Sequence, residues 1–269
     1  MKIKSPASSL VQTQANKTQA RMNKLFDQIS SGARITKAAD DAASLAISSA
    51  MEGQITALRS SRQNANEADS MLQVADAGFE QAQEIVGQMR ELAVSASNGT
   101  RSDADRAASE IEFQSLRSEL NDLAASTDFN DRALLDGAQS FTFQVGAEQG
   151  ASIVVSTERG VGAEDLGVDA SSVASQGSAQ ASLEALEEAS SRLNESRTRV
   201  GAGSSRLRTA SSGIESAVEN TVAANSQLRD LDLVEALSTK ARESILQQSN
   251  IAILMQANAM PQAALSLIG

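Results

Sequence analysis

The chain has 269 residues, 41% hydrophobic and 2% aromatic, so a folded core is available and must be built mostly from Leu, Ile, Val, Met and Ala. Its net charge of -11 disfavours sequence-independent binding to nucleic acid, because phosphate contacts need clustered Lys and Arg. Cys and His are both absent, which excludes disulfides, thiolate chemistry, most zinc sites, and the Ser-His and Cys-His nucleophile systems.

Pro is absent between Pro6 and Pro261, against an average usage of about 5%, which predicts long uninterrupted helices. Lys2, Lys4, Lys17, Arg21 and Lys24 precede the first acid, Asp27, and a solvated basic helix face accounts for them better than a nucleic-acid arm. Ser5 to Asn23 lacks an apolar core of signal-peptide length, so conventional secretion is not expected from this N-terminus. Val11, Ala15, Thr18, Met22, Leu25 and Ile29 step by four and three, a coiled-coil seam on a helix from roughly Ser8 to Ser31 that Gly32 is placed to end. The stretch from Ala33 begins as a link and returns to helix around Asp40 or Asp41. Carboxylates there suit a helix N-terminus, and with no third ligand type nearby capping is a better reading than metal binding.

A second helix is predicted from about Ala42 to Ser97. Met51, Leu58, Ala65, Leu72, Phe79, Val86 and Ala93 recur every seven residues, with Ala68, Ala75, Ala82, Met89 and Ala96 three places further on. Such a helix runs roughly 80 Å, against a radius of gyration near 18 Å for a compact globule of this length, so a rod is expected. Asn98 and Gly99 form a turn, Ser102 with Asp105 reads as a capping box, and Phe113, Leu116, Leu120 and Leu123 mark a third helix ending near Thr127. Asp128 to Gly137 is turn-rich. Asp128, Asn130 and Asp131 invite a calcium reading, but the glycine and glutamate of an EF-hand loop are missing, so a turn is preferred. Phe141, Phe143 and Val145 alternate with polar residues and Ile153 to Ser156 is partly β-branched, which predicts one small hairpin-like unit. Gly160 to Gly177 reads as a Gly/Ser/Ala linker where an insertion would be tolerated.

A second very long helix is predicted from near Ser178. Leu186, Leu193, Val200, Leu207, Ile214, Thr221 and Leu228 recur every seven, beside Ala189, Ser196, Gly203, Ala210, Ala217 and Ala224. Gly201, Gly203 and Gly213 are expected to be close-packing positions, and the pattern runs on through Leu231, Val234 and Leu237. Residues 244–269 contain no Asp, Glu, Lys or Arg, and the longest apolar run, Ile251 to Met255, is too short for a bilayer. A helix without a charged face must be buried in protein, so this segment is expected to be loose in the free monomer and ordered when other copies surround it. The fold class expected is mainly α: a long coiled-coil-like helical rod with a small β-hairpin unit and paired N- and C-terminal helices. The predicted domains are terminal helices, 1–41 and 229–269, and a rod over 42–228 with its hairpin region at about 128–177.

No recognisable catalytic set exists among the carboxylates, Lys, Arg, Ser and Thr, so no enzyme, metal or cofactor is expected. A signalling coiled coil would need a membrane span. Ile29 to Ser48, ISSGARITKAADDAASLAIS, closely resembles the N-terminal signature of bacterial flagellins. Met89 to Thr100, Thr127 to Gly137, Phe143 to Gly146 and Ile253 to Gly269 match the family in the same order. The resemblance implies a subunit that polymerises into the flagellar filament for motility. It further implies export through the flagellar type III apparatus, an export chaperone on the C-terminal helices, a distal cap, hook-filament junction neighbours, and an extracellular location. The alternative is a hook-filament junction protein. In the family the terminal helices form the inner tube, which points to Leu25, Ile29, Leu237, Ile245, Ile251 and Met255 as self-assembly contacts. Arg90, Glu91 and Leu92 are further candidates, although a solvated face also accounts for Arg90 and Glu91.

This sequence departs from the family in three places. Only some 40 residues remain near Ala138 to Ser178, where variable outer domains are inserted, so no large surface domain is expected. The opening MKIKSPASS lacks the usual Asn-rich start. The family segment that contacts the innate-immune toll-like receptor maps onto Val86 to Val94, but Gln88 stands where a basic residue precedes Arg90. The resemblance therefore does not carry recognition by that receptor over to this chain.

Overall fold

The computed structural model describes residues 6–268; Lys2, Lys4, the opening MKIKS and Gly269 lie outside the described residues. In chain order the elements are α1 (Pro6–Ser31), α2 (Ala42–Ser97), α3 (Asp103–Ser126), β1 (Asp128–Phe129), β2 (Arg132–Ala133), β3 (Gln139–Gln144), β4 (Ser152–Thr157), α4 (Ala163–Leu166), α5 (Gln176–Arg229) and α6 (Leu233–Ile268). They divide between two compact units, Thr56–Glu219, and Met1–Ile55 with Asn220–Gly269.

The Thr56–Glu219 unit holds the larger core. Along α2, Ala65, Ala68, Leu72, Ala75, Phe79, Ala82, Val86, Met89, Ala93 and Ala96 are all buried, so the seven-residue seam is the core face. It meets Leu186, Leu193, Val200 and Leu207 of α5 in one buried cluster. Gln83 with Asn194 (3.0 Å), Arg197 with Asp76 (3.1 Å) and Arg208 with Asp69 (3.2 Å) fix the two helices as antiparallel. α3 adds Phe113, Leu120 and Ala124 to the core, and starts in the capping box that Ser102 and Asp105 predict.

Two hairpins stand where one was expected. β1 and β2 pair around Asn130 (φ 54°) and Asp131 (φ 61°), the two consecutive left-handed residues of a type I′ turn, which short polar side chains tolerate. β3 and β4 pair antiparallel with Phe141 opposite Val155 and Phe143 opposite Ile153, and these apolar pairs pack on the helical core. Residues 160–177 are not a loose linker. Val161, Ala163, Leu166, Val168 and Val173 are buried, and the Val161 amide donates to Leu135 O at 3.0 Å, the Ala163 amide to Asn121 Oδ1 at 2.9 Å and the Val173 amide to Glu110 Oε2 at 2.5 Å. Small residues let this segment lie close to α3, so its composition imitates a linker while its apolar residues join the core.

Glycine packing also departs from expectation. A Cβ on Gly203 would sit 2.6 Å from Val155 Cγ2, whereas one on Gly201 or Gly213 would meet open space. Of these three, Gly203 is the close-packing position, with Val155 of β4 and Leu72 of α2 against it.

In the other unit, α1 ends at Gly32 (φ 69°), a left-handed conformation that glycine adopts without strain. The link that follows buries Ile35 and turns on Asp40, which accepts from the Thr36 amide, the Thr36 hydroxyl and the Lys37 amide, and pairs with Lys24 at 2.7 Å. Asp41 accepts from the Ser44 amide at 3.0 Å and caps α2. α5 and α6 are separate helices. Asp230 to Asp232 interrupts the run expected through Leu231 and Val234, and Asp232 Oδ1 caps α6 by accepting from the Val234 and Glu235 amides.

Candidate assembly interface

α1 and α6 pack side by side and antiparallel. Thr18 faces Asn250 (3.3 Å), Gln19 faces Gln247 (2.5 Å), Arg21 pairs with Glu243 (3.4 Å), and Lys240 Nζ lies 5.5 Å from the Phe26 ring. These links between the helices are largely polar. Thr18, Gln28 and Glu243 are buried there, and Glu243 Oε2 has no hydrogen-bond partner among the described residues. Met22, Leu25 and Ile29 are only half-buried.

The apolar side chains of α6 point largely the other way. Val234 is 80% exposed, Ile245 67% and Met255 68%, and Leu233, Leu237, Leu246, Ile251 and Ile253 are exposed with them. A soluble helix pair usually hides its apolar stripe and shows its polar face. Here the arrangement is partly inverted, and α6 is helical to Ile268 with no charged residue after Glu243. Exposed apolar patches of this kind are the type of surface that proteins bury on association.

The structure thus gathers Leu25, Ile29, Leu237, Ile245, Ile251 and Met255 in the unit that holds both chain ends. Arg90, Glu91 and Leu92 lie in the Thr56–Glu219 unit. Arg90 and Glu91 are exposed and line a shallow recess with Gly87, Val94 and Ser95, while Leu92 is partly buried against the core. Sequence reasoning passed over Val234, Leu246 and Ile253 as members of the apolar surface, although for Leu246 and Ile253 the absence of charged residues after Glu243 was the available signal. It also passed over Glu243, whose burial depends on α1 being opposite.

Two hydrogen-bonded carboxylates steady the same unit. The Lys24 ammonium, followed by the Thr36 hydroxyl and amide, holds the Asp40 carboxyl well below the usual range. The Ser44 hydroxyl and amide lower Asp41 in the same way. Among the described residues no group of His, Cys, Asp and Glu could hold a metal ion, and no helix is long and apolar enough to cross a membrane.

The sequence model of the bacterial flagellin N-terminal helical region matches residues 5–140, and that of the C-terminal helical region matches residues 183–268. The chain belongs to the bacterial flagellin family. Flagellin of Halalkalibacterium halodurans is 36% identical over 247 residues, covering 91% of each chain. A flagellar filament core protein of Brachyspira hyodysenteriae is 33% identical over 262 residues, covering 92% of each. Since these relatives are covered almost end to end, this is a short flagellin without a large outer domain. A crystal structure of Bacillus cereus flagellin matches with a TM-score of 0.51 at 23% identity, covering 61% of this chain and 94% of that one. A Vibrio parahaemolyticus chain assigned as a flagellar hook-associated protein matches with a TM-score of 0.59 at 13% identity, covering 71% and 100%. At these identities the structural likenesses speak for the flagellin fold alone.

Proposed function

We propose that this chain is the structural subunit of a bacterial flagellar filament, polymerising with identical copies for motility, and that α1 and α6 are the parts whose order neighbours stabilise. The observation that carries the reading is the outward apolar face of α6, with Val234, Ile245, Ile251 and Met255 exposed while polar side chains link α6 to α1. Burying a Leu, Ile or Met side chain contributes about 1.5 to 3 kcal/mol, so a few such residues per copy make a strong drive to associate. Leu25, Ile29, Leu237, Ile245, Ile251 and Met255 would serve the inner contacts, in terminal regions 1–41 and 229–269, with 42–228 outside them. Arg90 and Glu91 would meet a neighbour from the surface of the other unit, with Leu92 packed behind them.

Before assembly the same face needs cover, which fits an export chaperone that holds α6 until the chain passes the flagellar type III apparatus. The filament lies outside the cell, beneath a distal cap and beyond the hook-filament junction proteins. The role needs no catalysis, and the polar clusters of both units are accounted for by helix capping and ion pairs.

Deleting 244–269 tests the reading. A soluble, helical monomer that no longer polymerises is expected, and normal filaments from the deletion would refute the mechanism. The hook-filament junction reading shares the fold, and electron microscopy of the intact purified protein after salt-induced assembly separates them, since only a filament subunit grows into long filaments.

A further inference from the structure

Nothing in residues 230–232 breaks a helix by itself. Asp230, Leu231 and Asp232 include neither Gly nor Pro, and Ala224, Leu228 and Leu231 keep the four-and-three spacing of the α5 seam. In an unbroken helix Leu228 O would accept from the Asp232 amide, Arg229 O from the Leu233 amide, and the Leu231 amide would donate to Gln227 O. All three bonds are replaced by the link that follows α1. Arg34 Nη2 donates to Leu228 O at 2.7 Å. The Arg34 amide donates to Arg229 O at 2.7 Å, and the Leu231 amide donates to Gly32 O at 3.0 Å. An isolated bridge between Ala33 and Asp230 completes the junction, and Gln28 Nε2 holds Arg34 O at 2.5 Å.

We propose that the break between α5 and α6 is imposed by the Gly32–Arg34 link, with Arg34 as the positioning residue that occupies the acceptors an extended α5 would use. Asp232 caps α6 once the break exists, and its carboxylate is the competing cause. The two ends of the chain are thereby coupled at one joint. α6 starts as a separate helix while the link is docked, and with the link released, residues 230–232 join α5 and α6 into one helix. N-terminal and C-terminal segments far apart in sequence then take their assembly-ready form together or not at all.

The test uses the full-length protein, reading Cα chemical shifts and amide exchange at 230–232 in Arg34→Ala, Arg34→Lys and Asp232→Ala. In Arg34→Ala these residues are expected to move to helical shifts and exchange roughly tenfold more slowly, with the shifts of residues 60–95 unchanged. Arg34→Lys, whose ammonium can replace the side-chain donation to Leu228 O, should restore most of the break, and Asp232→Ala should leave it in place. Residues 230–232 remaining non-helical in Arg34→Ala would overturn the proposal, and so would closure of the break by Asp232→Ala alone. Should Arg34→Ala give no soluble protein, Arg34→Met, which keeps the apolar stem and has no donor for Leu228 O, decides: movement of residues 230–232 toward helical shifts supports the clamp, and shifts as non-helical as in the parent refute it. All of these are monomer measurements, so their failure is distinguishable from failure of the filament reading.

Discussion

Two glycines on α5 have opposite expected effects when replaced by alanine. A Cβ on Gly203 would stand 2.6 Å and 3.1 Å from the two methyls of Val155 and 3.2 Å from Leu72 Cδ1, so Gly203→Ala must push the β3–β4 hairpin or α2 away. Overpacking of this kind costs about 1 to 3 kcal/mol. Gly213→Ala meets nothing within 4 Å and removes the helix penalty of glycine, so it should stabilise by roughly 0.5 to 1 kcal/mol. Urea unfolding of both variants checks the pair, and equal effects of one sign would contradict this packing. In sequence the two positions are indistinguishable, since each is a glycine within a small-residue run. Glu243 shows the same limit. Among the described residues its buried carboxylate is matched by Arg21, which is 58% exposed. Arg21→Ala should therefore weaken the α1–α6 pairing, and because water screens the arginine the loss is set at about 1 kcal/mol. Comparing its urea midpoint with that of Arg21→Lys measures it.

At the scale of elements, helices were legible because burial on one side imposes a period, and the seams of α2 and α5 repeat it many times over. The ends of α1, α2 and α3 were legible too, through Gly32, Asp41 and Ser102. What escaped were features made by distant partners: the packed segment at 160–177, which reads as flexible by composition, and the α5–α6 break, whose cause lies some 200 residues earlier in the chain. The link between α1 and α2 gives a pH prediction. Asp40 is depressed by Lys24 and then by Thr36, so its contribution is fully present above the ordinary aspartate value of 3.8 and is lost as pH falls through the lower, folded value. The Thr36 and Lys37 amide resonances, whose donors bond Asp40, should accordingly hold their native positions at pH 3.8 and move only in stronger acid. Lys24→Gln removes the largest cause and should bring that transition up toward 3.8. A native-chain transition already centred at 3.8 would remove the assigned role of the Lys24 contact.

At the scale of the whole molecule, the two units carry unequal cores. The contiguous cluster of buried apolar residues lies between Ala65 and Leu207, all of it in the Thr56–Glu219 unit. In the unit of the chain ends, Ile35, Ile55 and Ala236 are the buried apolar residues among those described, joined by Thr18, Gln28, Ser48 and Glu243. Hydrophobic burial is the main favourable term in folding, so the unit of the chain ends should melt first and the other later. Association with further copies binds the folded form of the weaker unit and raises its apparent stability by mass action, about 2.7 kcal/mol when the partner stands at a hundredfold its dissociation constant. Calorimetry of the dilute protein should then show two transitions, and raising the concentration into the polymerising range should move the lower one upward while leaving the upper in place. Ile245→Ser combined with Met255→Ser alters side chains that are 67% and 68% exposed, so it should spare both dilute transitions and abolish the concentration dependence. One transition at every concentration, or an upper transition that moves with the lower, would mean that the chain ends do not depend on neighbours for their stability, and the double substitution would then leave polymerisation intact.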